Sequence, residues 1–359
     1  MLRSRGHAVE TYWRSNDDIA GISKVRAVVQ TIWSNQTAKE LESLILAFKP
    51  DVIHVHNTMP LISPSLYWVA YKYRVPVVQT LHNFRLICPQ ALLLRDGRVC
   101  EDCVGKVPWR GVVHGCYRGS VAQTGVLAVM LSSHRLLGTW QYKVTRYIAL
   151  NEFARDKYIE GGLPADRIMV KPNFVDVARH APVERSGFLF VGRLSEEKGI
   201  AVLMEAARQL PMGQRLRVVG SGPLMPLVKN HPNVDYLGPL DADTVYAEMR
   251  SAQALIVPSI WYENYPRTIV EAFACGLPVL ASNLGAIPGI VKAGSTGALF
   301  EPSNVESLVD SMLWASANER ALGKMGLQAR AHYEAELTPE VNYQQLMAVY
   351  LQAQAAVCS

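Results

Sequence analysis

The chain has 359 residues, 49% of them apolar and 19% charged, with a formal net charge of +5. This length accommodates two domains of ordinary size, each with its own core, and the apolar content excludes an intrinsically disordered chain. No run of about 18 uncharged apolar residues occurs and no charged, apolar, small-residue leader opens the sequence, which predicts neither a membrane span nor a secreted protein, and so a cytoplasmic location.

The charge is unevenly divided. Residues 1–175 carry 22 Lys and Arg against 13 Asp and Glu, or +9, and the remainder carries 14 against 18, or −4. The basic half reads either as an ordinary basic surface or as one that faces anionic lipid headgroups or phosphorylated acceptors, which would give peripheral association with the inner face of a membrane. No nucleic-acid motif accompanies the charge, so nucleic acid is not expected as a partner.

In chain order, residues 1–7 look like the end of a helix running into a strand over 8–12. Further strands are predicted over 51–56 and 75–82, separated by helices over 37–48 and 64–73. His54 and His56 alternate on one strand and share a face, which fits either metal binding or the lining of a strand end. The segment QTLHNF places His82 at the carboxyl edge of a strand, where a lone His serves packing, surface or chemistry. Residues 85–120 form an insertion rich in Gly, Pro and basic residues. It carries Cys88, Cys100, Cys103 and Cys116, separated by eleven, two and twelve residues. The Cys-x-x-Cys pair supplies close thiolates, and the outer two could complete a tetrahedral structural zinc site; free thiols, or disulfides in an oxidising compartment, are the alternatives. The apolar helix predicted over 121–137, flanked by basic residues, either lies on a membrane or packs beneath the first domain.

Periodicity is lost over 173–185, which divides the chain into domains 1–175 and 176–338. The second opens with a strand over 187–191. A helix over 200–209, strands over 216–219 and 234–237, a helix over 244–250, and strands over 254–257 and 277–281 follow. Helices are predicted over 303–317, 321–334 and 339–355. Alternating strand and helix implies parallel sheets wound on both faces, an α/β protein.

Three motifs in this half carry chemistry. In FLFVGRLSEEKG a strand ends at Gly192, where a missing side chain admits a ligand to the backbone, and Arg193 and Lys198 can hold a pyrophosphate; in isolation the segment could be a turn with surface charges. In VVGSGP a strand leads to two spaced glycines, Gly220 and Gly222, a common pattern that on its own reads as a simple tight turn. In PSIWYENYPRTIVEAFACGLPVLAS, Glu263 lies in a polar loop and Glu271, eight residues on, in a helix. Pro266 suits the first helical turn, and the helix start around Asn264, Tyr265, Pro266 and Arg267 offers unpaired N–H groups to an anion. Asp241 and Asp243 form an Asp-x-Asp in which Asp243 is predicted to cap the helix from 244 rather than to hold a metal.

Taken together, the Glu pair and the GRLSEEKG segment resemble the signatures of the retaining glycosyltransferases of family 4. The resemblance implies a GT-B fold, two Rossmann-like domains facing an interdomain cleft, with helix 339–355 packing back on the first. It implies a hexosyltransferase of polysaccharide biosynthesis that moves a sugar from a UDP- or GDP-linked nucleotide diphosphate sugar to a hydroxyl of a glycan or lipid-linked saccharide, without a catalytic metal. By the same resemblance Arg193 and Lys198 contact the donor diphosphate, Glu271 the ribose hydroxyls and Glu263 the donor sugar. Gly192, Gly220, Gly222, Leu240 and residues 264–267 lie along the donor, and His82 meets its sugar, with Asn83 where Asp is commoner. Family members carry an earlier strand and a Gly-rich loop that this sequence lacks, so the first domain reads as incomplete at its N-terminus, through a late start site or a truncation. A truncated, catalytically silent nucleotide-binding or assembly protein is the rival, and a sugar epimerase on the same fold a third reading, disfavoured by the Glu pair.

Overall fold

Short apolar runs bounded by Gly, Pro or polar residues form parallel strands here, and amphipathic stretches between them form the covering helices. The structure is a computed structural model that describes residues 1–15, 17, 23–180, 183–211 and 213–358. It divides into two units, one of Met1–Leu93, Cys100–Lys171 and Tyr343–Ser359, the other of Leu94–Val99 and Pro172–Asn342.

In the first unit α1 (Lys24–Ile32) and α2 (Asn35–Phe48) start at serines, Ser23 and Ser34, whose hydroxyls accept the N–H of Arg26 and Thr37. Then come β1 (Ile53–Val55), α3 (Ser65–Lys72) and β2 (Val77–Thr80). The hairpin β3 (Leu94–Arg95) and β4 (Arg98–Val99) groups with the second unit. The first unit resumes with α4 (Trp109–Val113), α5 (Val121–Leu136), α6 (Thr139–Tyr142), β5 (Arg146–Ala149), α7 (Glu152–Glu160) and β6 (Ile168–Val170). Its sheet has the order β1-β2-β5-β6, every pair parallel, with Val55 opposite Gln79. That register brings the residues just beyond β1 and β2, His56 and His82, to one edge of the sheet.

Residues 8–12 are not a strand, and residues 1–7 hold only a single 3-10 turn, Arg3–Arg5. The segment is tied instead by side chains: an Arg3 guanidinium N–H donates to the Val9 carbonyl at 2.9 Å and the Tyr12 hydroxyl to Glu40 at 2.6 Å. Five residues with mixed polarity and no partner strand have nothing to set a register. Helix α5 buries Leu127, Met130 and Leu131 on one side and exposes Val121, Val129 and Leu136 on the other. Among the described residues no helix is long and apolar enough to cross a membrane.

The second unit runs β7 (Phe188–Val191), α8 (Ile200–Arg208), β8 (Leu216–Val219), α9 (Met225–Lys229), β9 (Val234–Gly238), α10 (Ala242–Ser251) and β10 (Ala254–Val257). It continues with α11 (Arg267–Ala274), β11 (Val279–Ser282), α12 (Ile287–Ile290), β12 (Gly297–Phe300), α13 (Val305–Ala317) and α14 (Glu319–Glu336). Its six strands have the order β12-β11-β10-β7-β8-β9, all parallel. Phe188, Phe190, Leu203, Leu216, Ile256, Leu280 and Met312 share its core. The chain winds outward from β7 through β8 and β9, then returns to β10 on the other flank of β7. The β7/β10 boundary is therefore the topological switch point, where open α/β sheets hold ligands beyond the carboxyl ends of their strands.

The last helix, α15 (Pro339–Cys358), begins among second-unit residues, but from Tyr343 it groups with the first unit. There Leu346, Val349, Tyr350 and Ala353 pack with Val78 of β2 and Ile148 of β5.

Candidate functional site

The switch point explains why motifs some seventy residues apart in sequence converge. Gly192 follows β7, and its N–H donates to the Val219 carbonyl at the end of β8. Gly220, at φ +133°, lies so close that a Cβ there would sit 1.9 Å from the Gly192 carbonyl oxygen. Gly199, at φ +72°, likewise abuts β10's exit: its Cβ would lie 1.8 Å from the Pro258 oxygen. Neither position accepts a side chain, on backbone conformation or on space. The Ile260 N–H donates to the Glu197 carbonyl at 3.0 Å, so the loops after β7 and β10 are joined main chain to main chain.

On this frame the Lys198 ammonium lies 2.6 Å from Glu263 Oε1. Glu263 is only 4% exposed, and the same oxygen accepts from the buried Ser259 hydroxyl, also at 2.6 Å. The Lys198 ammonium also sits 5.5 Å from the centre of the Trp261 ring, whose indole N–H is buried without a partner. A buried carboxylate needs such company, since its desolvation is otherwise unrepaid. Arg193 is exposed in the β7 loop, Gly222 follows Gly220 after β8, and Leu240 is half-buried between β9 and α10.

Pro266 stands as the residue before α11 rather than inside its first turn, and no side chain caps that N-terminus. Its N–H groups are those an anion could take. Asn264 is buried and Tyr265 half-buried on the approach, the Tyr265 carbonyl accepting from the Asn173 amide at 3.4 Å. In the second helical turn, Glu271 Oε1 lies 2.9 Å from Arg267 Nε. Burial pushes the Glu271 carboxyl up, and Arg267 opposes that push without cancelling it. The Asp-x-Asp differs from expectation: Asp241, not Asp243, caps α10, accepting the Thr244 N–H at 3.0 Å and its hydroxyl at 2.9 Å. With the helix starting at Ala242, Asp243 lies two residues past the cap, inside the first turn.

His82 lies in the first unit, beyond β2. Its Nε2 is 2.7 Å from His56 Nδ1, and one residue on, the Asn83 amide donates to Asn57 Oδ1 at 3.2 Å. His54 stacks on His56 with ring centres 4.4 Å apart, and its own nitrogens reach the Tyr350 hydroxyl at 2.7 Å and Thr80 Oγ1 at 2.8 Å. Burial lowers all three histidines, His54 to about 3 and His82 to about 4, with the Lys171 charge adding to each. The rings are neutral near pH 7. The sequence reading does not single out Ser259, and it reaches His56 only through its alternation with His54, not through its contact with His82.

Cys88, Cys100, Cys103 and Cys275 carry free thiols. Burial pushes Cys103 up to about 11, and Cys88, Cys100 and Cys116 are near enough to add to the shift. Among the described residues no group of three or more His, Cys, Asp or Glu is placed to hold a metal ion.

Comparison with known proteins covers almost all of this architecture. Residues 1–179 match the family described as Glycosyltransferase Family 4, and residues 178–332 match Glycosyl transferases group 1. A Klebsiella pneumoniae protein described as an uncharacterized 42.6 kDa protein in the cps region is 27% identical over 74% of this chain and 66% of its own length. The D-inositol 3-phosphate glycosyltransferase of Mycobacterium bovis is 28% identical over 84% of this chain and 62% of its own length. The chain thus spans less than two thirds of the length of these curated relatives. Among solved structures, sucrose-phosphate synthase from Thermosynechococcus elongatus superposes with a TM-score of 0.68 at 19% identity, covering 93% of this chain and 81% of that one. The Anabaena protein Alr3699/HepE, solved with UDP and glucose, gives 0.63 at 19% identity, covering 87% and 80%. With one family matched across its first half, the other across its second, and a shared two-sheet architecture, the chain belongs to glycosyltransferase family 4, with the GT-B fold.

Proposed function

We propose that this chain transfers a sugar from a nucleotide diphosphate sugar to an acceptor hydroxyl, with retention at the anomeric carbon and without a metal in the transfer. The observation that carries the reading is the Lys198–Glu263 contact at the switch point beside the uncapped α11 N-terminus. A cation, free helix N–H groups and a buried carboxylate there match a diphosphate followed by a sugar. On donor binding, diphosphate oxygens replace Glu263 as the partner of Lys198. Glu263, still held by Ser259, then accepts a sugar hydroxyl. Glu271 serves the ribose, its raised pKa marking a carboxyl that gains from a hydroxyl partner.

The acceptor oxygen bonds to the anomeric carbon on the face the diphosphate leaves, the bond from that carbon to the phosphate oxygen breaks, and the acceptor's proton passes to the departing phosphate. Lys198, Arg193 and the α11 N-terminus stabilise the growing negative charge. His82 contacts the donor sugar. The UDP and glucose of the Anabaena structure support a UDP-linked hexose as donor, with a GDP-linked one as the alternative. A glycan or lipid-linked saccharide fits the basic first half as acceptor.

Hydrolysis of UDP-glucose, UDP-galactose, UDP-N-acetylglucosamine and GDP-mannose by the full chain tests the reading. At least one should be turned over, with retention visible in the released sugar's first-formed anomer. Nucleotide binding without turnover of any donor would leave a binding protein in place of an enzyme, and an inverted anomer would remove retention.

A further inference from the structure

The edge of the first sheet carries more polar side chain than contact with one sugar requires. Its parts are two rungs between the exits of β1 and β2. His56 Nδ1 lies 2.7 Å from His82 Nε2, and the Asn83 amide donates to Asn57 Oδ1 at 3.2 Å. His54 backs the first rung by stacking on His56, and is itself anchored at both nitrogens by Tyr350 and Thr80. Behind His82, the Tyr158 hydroxyl donates to the Asn83 carbonyl.

We propose that His56 is a positioning residue for His82: its Nδ1 engages His82 Nε2, so that Nδ1 is the nitrogen of His82 left to meet a sugar hydroxyl. The inference rests on the reading that His82 serves the donor sugar. Two neutral rings share one proton in this bond. If His82 Nε2–H donates, its Nδ1 is an acceptor and His56 keeps a proton on Nε2. If His56 Nδ1–H donates, His82 carries its proton on Nδ1 and becomes a donor there. The proton's place in the bond therefore decides whether His82 gives or takes a hydrogen bond, and the two rings change roles together. The titratable groups facing the pair are His54, on its stacked ring, and Lys171 at the end of β6, with Tyr350 acting through His54. Burial and the Lys171 charge work against protonating either ring, and the His56 charge adds to this at His82. The two states are neutral tautomers, and passing between them moves the shared proton to His56 Nδ1 while His56 Nε2 gives its proton to solvent and His82 Nδ1 takes one from solvent or the sugar hydroxyl.

The test uses full-length His56→Leu, His56→Asn and His82→Ala, with the four nucleotide sugars above. His56→Leu should lower kcat roughly 10–100-fold, as loss of an orienting partner does, while KM moves less than about threefold. His56→Asn, which keeps a polar atom where Nδ1 stood, should recover most of the loss. Wild-type kcat in His56→Leu beside an inactive His82→Ala overturns the proposal alone; wild-type kcat in His82→Ala removes the reading on which it rests. Histidine ring nitrogen NMR on the full chain needs no donor. The His82 Nε2 resonance should shift in both His56 variants, and its titration midpoint should rise in His56→Leu. An unmoved His82 resonance in folded His56→Asn overturns the proposal as well.

Discussion

The two halves of this chain present their functional residues by different means. In the second unit the site is made by backbone: glycines with no room for a Cβ, main-chain bonds between the β7 and β10 loops, and an uncapped helix start. On that frame Lys198 and Glu263 meet at 2.6 Å. In the first unit the sheet edge is made by side chains, with rings holding rings through shared protons. The lesson is one of tolerance. A backbone-built site fails when its frame is disturbed, whereas a side-chain-built edge can change tautomer or charge while the frame stands.

The largest expected effect lies on the backbone-built side. Lys198→Ala should lower donor turnover about 10²–10³-fold, the loss typical of a group that stabilises charge in the transition state. It should also lower the melting temperature, since it strands the buried Glu263 carboxylate. Near-normal turnover in a folded variant would break the contrast at its strongest point.

Next in size, Gly199→Ala should cost about 2–4 kcal/mol, because it forces a left-handed conformation and drives a Cβ into the Pro258 carbonyl. Urea unfolding measures it. Loss below about 0.5 kcal/mol would mean the loops can part, and that the frame is softer than described.

The histidine edge should show itself in pH dependence. The folded-state values of His54 and His82 lie near 3 and 4, below the unfolded value of 6.5. Above pH 6.5 both states are neutral and the contribution is fully present. As pH falls from 6.5 towards 4 for His82 and 3 for His54, the unfolded chain takes up protons first and stability declines. Thermal unfolding from pH 7 to pH 4 should record this, with a shallower slope in His54→Gln. Equal slopes would mean these rings titrate normally.

The smallest effects concern single hydrogen bonds. Ser259→Ala removes one bond to Glu263 and should cost about 1 kcal/mol and a few-fold in turnover. Asp241→Ala removes the α10 cap, at about 1 kcal/mol, with turnover unchanged. A large turnover loss in Asp241→Ala would point to a role for the Asp-x-Asp beyond capping.

The backbone-built half was also the more legible in sequence. β10 coincides with the run over 254–257, because a fully buried parallel strand is a continuous apolar stretch bounded by Gly, Pro or polar residues; β8 coincides with 216–219 although Arg217 interrupts its apolar run. Residues 8–12 misled because a five-residue run of mixed polarity carries no information about whether a partner strand is present. Two nearby Asp residues made the α10 cap ambiguous, and only the position of the Thr244 N–H decides between them. Ser259 and His56 act through contacts across a loop and between two strand exits, which no local pattern encodes.

The central claim is that the nucleotide is held by the second unit at the β7/β10 switch point. Calorimetric titration of the full chain with UDP and with GDP tests it most directly, repeated on Glu271→Ala and His82→Ala. Binding of at least one nucleotide is expected, weakened about tenfold or more in Glu271→Ala and changed less than about twofold in His82→Ala. No heat with either nucleotide, or equal weakening from the two substitutions, would contradict it.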